Sequence, residues 1–248
     1  MPIPDSARYL YRRLFGARRH LHRQPGPLPD FVIIGAQKAG TTALFDMFSE
    51  HPEISPSTVK EVHYFDSNYE RGEQWYRRHF DRHIAGEASP YYLFYPPAHD
   101  RMKALIPKAK VIAILRDPVE RALSHYDHEV EKGYVKAPIM EALRAEEQRT
   151  DAFAHNHLSF VGRGRYLPQL ERWQDFDLLV LSNRELRETA DETFARACRH
   201  VGATPIPAPK LESNVGVRRQ PPDEARRFLE ERLAGEKEAV EARYGIRL

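Results

Sequence analysis

Residues 31–45 read Phe31-Val-Ile-Ile-Gly-Ala-Gln-Lys-Ala-Gly-Thr-Thr-Ala-Leu-Phe45, and this stretch decides the fold. Phe31 to Ile34 form a short unbroken apolar run rich in β-branching, which suits a strand buried on both faces. Gly35 and Gly40 bracket a tight loop, and the residues from Thr41 onward carry an amphipathic helical pattern. Strand, glycine loop and helix in that order aim the loop N–H groups and the positive end of the helix dipole at one place. A phosphate or sulfate group fits there. Lys38 adds a full positive charge inside the loop, and Thr41 and Thr42 add hydroxyl donors. The spacing is not that of a Walker A loop, in which Lys follows the second Gly directly. Here Thr41 follows Gly40, and the lysine comes earlier, at 38. The plain structural alternative is a glycine turn with an exposed Lys38.

Working outward, two more runs match the first. Val111 to Leu115 and Asp177 to Leu181 read as further buried strands. Arg116 leaves the end of the first of these runs, and Pro118 then opens a helix from Val119 to Lys132, where its missing N–H does no harm. Ser124 lies about two turns into that helix. In an open α/β sheet, ligands bind at the carboxyl ends of the strands, so the Lys38 loop and the Arg116 loop are expected on one edge. Lys60-Glu-Val-His-Tyr-Phe-Asp66 is dense in ionisable groups. Glu61 and His63 share one face if the segment is extended, and either is a candidate general base. Gly86-Glu-Ala-Ser-Pro90 reads as a strand end turning into a loop. Tyr64, Phe65, Tyr91, Tyr92, Phe94 and Tyr95 line a cleft or fill the core.

The remaining chain reads as connectors. Glu141–Arg149 is expected to be helical. A helix opens at Gly162-Arg-Gly-Arg-Tyr166 and runs through Trp173, and two more cover 185–189 and 191–201. A loop at 210–219 with Arg218 and Arg219 precedes one long helix over 223–244. Residues 1–30 are basic and end in Pro25, Pro27 and Pro29. They read as an extension and linker to a single domain over 31–248. That extension is either solvated and loosely packed on the domain or a helix for peripheral membrane contact or a partner.

The 248 residues carry a net charge of +2, which gives no overall drive toward nucleic acid or an anionic membrane. The single cysteine, Cys198, excludes an internal disulfide and sits in a helical pattern as a small buried residue. No apolar run approaches membrane-spanning length and no secretory signal is visible, so a cytoplasmic location is the default expectation. No His/Cys/Asp spacing points to a metal.

Three motifs in register, Gly35 to Leu44, Lys60 to Asp66 with Gly86 to Pro90, and Leu115 to Ser124, resemble the sulfotransferases that use 3′-phosphoadenosine 5′-phosphosulfate. The likeness is to the heparan-sulfate-type branch and its bacterial relatives, and Gly164 to Trp173 also fits. The resemblance implies a parallel sheet flanked by helices, similar to nucleotide kinases. It implies that Gln37, Lys38, Ala39, Gly40, Thr41 and Thr42 hold the 5′-phosphosulfate of the donor. It places Arg116 and Ser124 on the 3′-phosphate, with Arg218 and Arg219 as a looser match to a closing basic loop. Glu61 takes the place of the catalytic base, with His63 as its rival. Burial is expected to raise the Glu61 pKa toward neutrality. Ala88 stands where many heparan-type members have lysine. The expected reaction is sulfuryl transfer to a hydroxyl of a sugar, lipid or other small molecule. The competing readings are a P-loop-like small-molecule kinase and a non-catalytic nucleotide-binding module. The order of Lys38 and Gly40 opposes the first, and the paired Lys38 and Glu61 oppose the second.

Overall fold

A computed structural model of the chain describes residues 24–81, 84–148, 151–210 and 220–248. Five strands, β1 (Phe31–Gly35), β2 (Ser55–Pro56), β3 (Ala85–Ala88), β4 (Lys110–Leu115) and β5 (Asp177–Ser182), form one sheet in the order β2-β3-β1-β4-β5. Every pairing is parallel. Helices therefore make the crossovers and cover both faces. In chain order they are α1 (Thr41–Ser49), α2 (Glu73–Arg77), α3 (Pro96–Leu105), α4 (Pro118–Glu131), α5 (Ile139–Ala145) and α6 (Ala152–His157). The rest are α7 (Tyr166–Arg172), α8 (Asn183–Glu188), α9 (Ala190–Val201), α10 (Asp223–Arg232) and α11 (Glu236–Tyr244). The α/β class and the central parallel sheet agree with the sequence reading.

The central strands β1 and β4 are mostly apolar because both faces are buried. Val32 and Ile34 join Val111, Ala113 and Leu115 in one core layer, with Tyr92, Met102, Tyr166 and Trp173. Phe31 and Ile33 join Ile112 and Ile114 in the opposite layer, under Leu44 and Phe48 of α1 and Phe194 and Cys198 of α9. Fully burying one such side chain is worth about 1.5–3 kcal/mol. The strand period of two sends neighbours to opposite layers. A third cluster packs α4 against α5, α10 and Leu158 to Val161. Asp117 caps α4 by accepting from the Val119 and Glu120 N–H groups at 3.0 and 3.1 Å, and Pro118 occupies its first turn.

Three local expectations are corrected, and one short strand was not foreseen. The two-residue edge strand β2 has too little sequence to announce itself. The helix expected over 141–149 is α5, from Ile139 to Ala145, followed by a single 3₁₀ turn at 146–148. The long C-terminal helix is two, because Gly235 takes a left-handed φ of 77° between α10 and α11. Residues 60–66 are not extended. Glu61 and His63 have φ of 63° and 54°, in the left-handed region that non-glycine residues seldom enter. No helix of the described residues is long and apolar enough to cross a membrane.

Candidate active site

The carboxyl ends of β1, β3 and β4 bring the candidate residues together. β1 and β4 are neighbours, so the loops that follow them meet. The Ala36 N–H donates to the Ile114 carbonyl at 2.8 Å, and Arg116 Nη1 donates to the Lys38 carbonyl at 3.4 Å. The expected shared edge is therefore present.

The loop after β1 ends on Gly40, whose φ of 102° starts α1 with no side-chain cap and no acidic residue in the first turn. The orphan N–H groups of that turn are aimed where an anion would sit. A Cβ on Gly40 would lie 2.5 Å from Asn183 Nδ2, so the loop fits closely against the start of α8. Ala39 and Thr41 are buried, Gln37, Lys38 and Gly40 half-buried, and Thr42 exposed. Lys38 itself has a left-handed φ of 68°. Burial lowers the Lys38 pKa, with Glu131 opposing and Lys132 and Lys60 adding to the shift. Three lysines and an uncapped helix end thus share one electrostatic neighbourhood. This donor set fits a phosphosulfate group.

Glu61 and His63 lie in the loop that docks on β3. The Glu61 N–H donates to the Ala88 carbonyl at 2.9 Å. Lys60 Nζ lies 2.5 Å from Glu61 Oε1, and His63 Nε2 lies 3.4 Å from Glu61 Oε2. The other ring nitrogen of His63 meets Asp66 Oδ2 at 2.7 Å. Burial alone would lower the His63 pKa, but the hydrogen bonds and charges of Asp66 and Glu61 outweigh it and raise the value to about 10. Burial alone would raise Glu61, yet Lys60 and His63 hold its carboxyl well below the usual range. The expectation of a Glu61 raised toward neutrality is therefore overturned. Burial is the largest single effect, but Lys60 and His63 act together and outweigh it. His63, with a carboxylate at each ring nitrogen, is a cation at neutral pH.

Arg116 pairs with Glu120 Oε2 at 3.3 Å, while Arg226 of α10 holds Glu120 Oε1 at 2.8 Å. Ser124 is half-buried on α4. Arg218 and Arg219 lie outside the described residues, as does the basic extension before residue 24. Of the candidate cleft aromatics, Tyr64, Phe65 and Tyr92 belong to the core, whereas Tyr91, Phe94 and Tyr95 are half-buried.

Sequence reasoning missed several groups. His128 and Lys132 follow Ser124 at four-residue steps, one face of a helix by spacing. Burial first, then Lys38 and Lys132, push the His128 pKa down to about 4. That periodic spacing was the available signal. Arg163 is buried, bonds Gln37 Oε1 of the loop after β1, and places its guanidinium 4.7 Å from the Tyr91 ring centroid. Nothing local in the sequence ties Arg163 to Gln37, since the two are 126 residues apart.

Comparison with known proteins bears on the family and the fold. A bacterial sulfotransferase from Alicyclobacillus acidocaldarius superposes with a TM-score of 0.72 at 27% identity, covering 90% of this chain and 98% of that one. The human bifunctional heparan sulfate N-deacetylase/N-sulfotransferase 2 is 32% identical over 200 residues, 72% of this chain and 22% of that protein. Human heparan sulfate glucosamine 3-O-sulfotransferase 3B1 is 35% identical over 150 residues, 59% of this chain and 38% of that one. The chain thus spans well under half the length of these curated relatives. Residues 28–207 match the sulfotransferase domain, and with the strand–loop–helix of Lys38 and the Arg116 edge in place, the chain belongs to the sulfotransferase domain family.

Proposed function

We propose that the chain transfers a sulfuryl group from 3′-phosphoadenosine 5′-phosphosulfate to an acceptor hydroxyl. Glu61 acts as general base, and Lys38 faces the leaving oxygen. The observation that carries this reading is the meeting of Lys38, Lys60, Glu61 and His63 beside the uncapped start of α1. A carbohydrate acceptor is favoured over a lipid or another small molecule, because the relatives are named for heparan sulfate.

When bound, the donor supplies an electrophilic sulfur and a phosphate leaving group. Loop residues 37–42 would hold its 5′ end through backbone N–H groups and the two threonines. Arg116 and Ser124 would hold the 3′-phosphate, and a guanidinium offers that phosphate two parallel bonds. Lys38 would meet the negative charge that builds on the leaving oxygen. His63 is closed to the role of base at neutral pH, since both nitrogens are committed to carboxylates. It serves instead to orient Glu61. Glu61 is ionised and a weak base in this environment. It therefore takes the proton late, after bond formation to sulfur has acidified the acceptor hydroxyl. Transfer of this kind runs through a loose transition state in which positioning and charge do most of the catalysis.

The test is turnover at saturating donor on a panel of glucosamine-containing oligosaccharides. Glu61→Gln should lower kcat by about 10² to 10⁴, the usual worth of a general base. Near-normal turnover by Glu61→Gln would exclude the assignment.

A further inference from the structure

The Gly86-to-Pro90 motif ends β3, and the reading above gives its acidic residue no part. Glu87 is fully buried, and a carboxylate so placed is costly unless hydrogen-bonded. Three hydroxyls meet it. Tyr76 Oη and Tyr92 Oη donate to Oε1 at 2.7 and 3.1 Å, and Ser89 Oγ donates to Oε2 at 2.6 Å. Each hydroxyl has one proton, so a hydroxyl that donates to Glu87 turns its lone pairs elsewhere. Ser89 Oγ accepts the His63 N–H at 3.1 Å, and Tyr92 Oη accepts the Phe65 N–H at 3.1 Å. With Glu61 N–H on the Ala88 carbonyl, alternate residues 61, 63 and 65 are all caught by the end of β3 and the turn after it. Left-handed φ values at non-glycine residues are costly and persist only where the surroundings over-determine them. The loop carries two of them, at Glu61 and His63.

We propose that Glu87 is a positioning residue for the transfer reaction. Its buried carboxylate sets the proton direction of Ser89 and Tyr92, and these hydroxyls fix the backbone that presents Glu61 and His63. The proposal rests on the general-base reading of Glu61. Glu87→Gln keeps the shape but reverses part of the chain. Its amide must donate to one hydroxyl, which then aims a proton at a backbone N–H.

The test reads the loop without an acceptor. His63 is followed by NMR titration of its ring protons, identified by their loss in His63→Asn. In the wild type its titration is expected well above the ordinary imidazole value of 6.5. In Ser89→Ala and in Tyr92→Phe, each of which removes one loop-holding hydroxyl, it should titrate lower by about one pH unit or more, as pairing with both carboxylates loosens. Affinity for adenosine 3′,5′-bisphosphate should stay within about twofold of wild type, the behaviour of uncoupled sites. Glu87→Gln should match the two variants, and a folded Glu87→Gln that keeps the wild-type His63 titration would overturn the proposal. An unchanged His63 titration in both folded hydroxyl variants would overturn the proposal. If the titration shifts but Glu61→Gln retains turnover, the general-base reading fails alone and the hold of Glu87 on the loop stands.

Discussion

Glu61 and His63 show how several neighbours together outweigh burial in setting a charge state. His63 lies between two carboxylates, so folding raises its pKa above the ordinary imidazole value of 6.5 to about 10. A group raised in the folded state contributes stability that is full below the unfolded pKa and is lost as pH rises through the folded one. The stability attributable to His63 should therefore decline between about pH 6.5 and about pH 10. Denaturant unfolding at several pH values checks this. His63→Gln should flatten the slope across that window, and a slope unchanged by the substitution would exclude the pairing. The residue types of the site were legible, since Lys38, Glu61 and His63 stand in motifs dense in charge. Their states were not. The pKa of Glu61 depends on Lys60 at 2.5 Å and on His63, and those distances follow from two left-handed residues that no spacing rule announces.

At the scale of the element, the start of α1 decides whether an anion can bind. Gly40 takes φ of 102° there, and a side chain would meet Asn183. Gly40→Ala should lower stability by about 1–2 kcal/mol through the left-handed backbone alone. It should also weaken adenosine 3′,5′-bisphosphate binding by about tenfold or more, a change of about 1.4 kcal/mol in affinity. Calorimetric titration measures the second effect, and wild-type affinity in the variant would mean the loop is not the binding element. β1, β4 and β5 were legible because buried parallel strands are continuous apolar runs. β2 was not, having only Ser55 and Pro56 on the sheet edge. The break before α11 was masked by charged residues on both sides of Gly235, where an amphipathic pattern continues without interruption.

For the whole molecule, a parallel sheet with β1 between β3 and β4 does the assembling. It sets the Lys38 loop beside Arg116 on one side and the Glu61 loop beside Glu87 on the other. Strand direction alone foretold the first meeting, because parallel neighbours end at the same edge. The second, together with Arg163 on Gln37, depends on long-range packing that the sequence does not spell out. The central claim is that this edge binds a 3′-phosphorylated adenosine donor. Thermal unfolding with adenosine 3′,5′-bisphosphate, and separately with ATP and Mg²⁺, tests it most directly. A ligand at about 100 times its dissociation constant adds about 2.7 kcal/mol of stability. Stabilisation by the bisphosphate, lost in Arg116→Ala, is the predicted result. Stabilisation by ATP with Mg²⁺ and none by the bisphosphate would contradict the account.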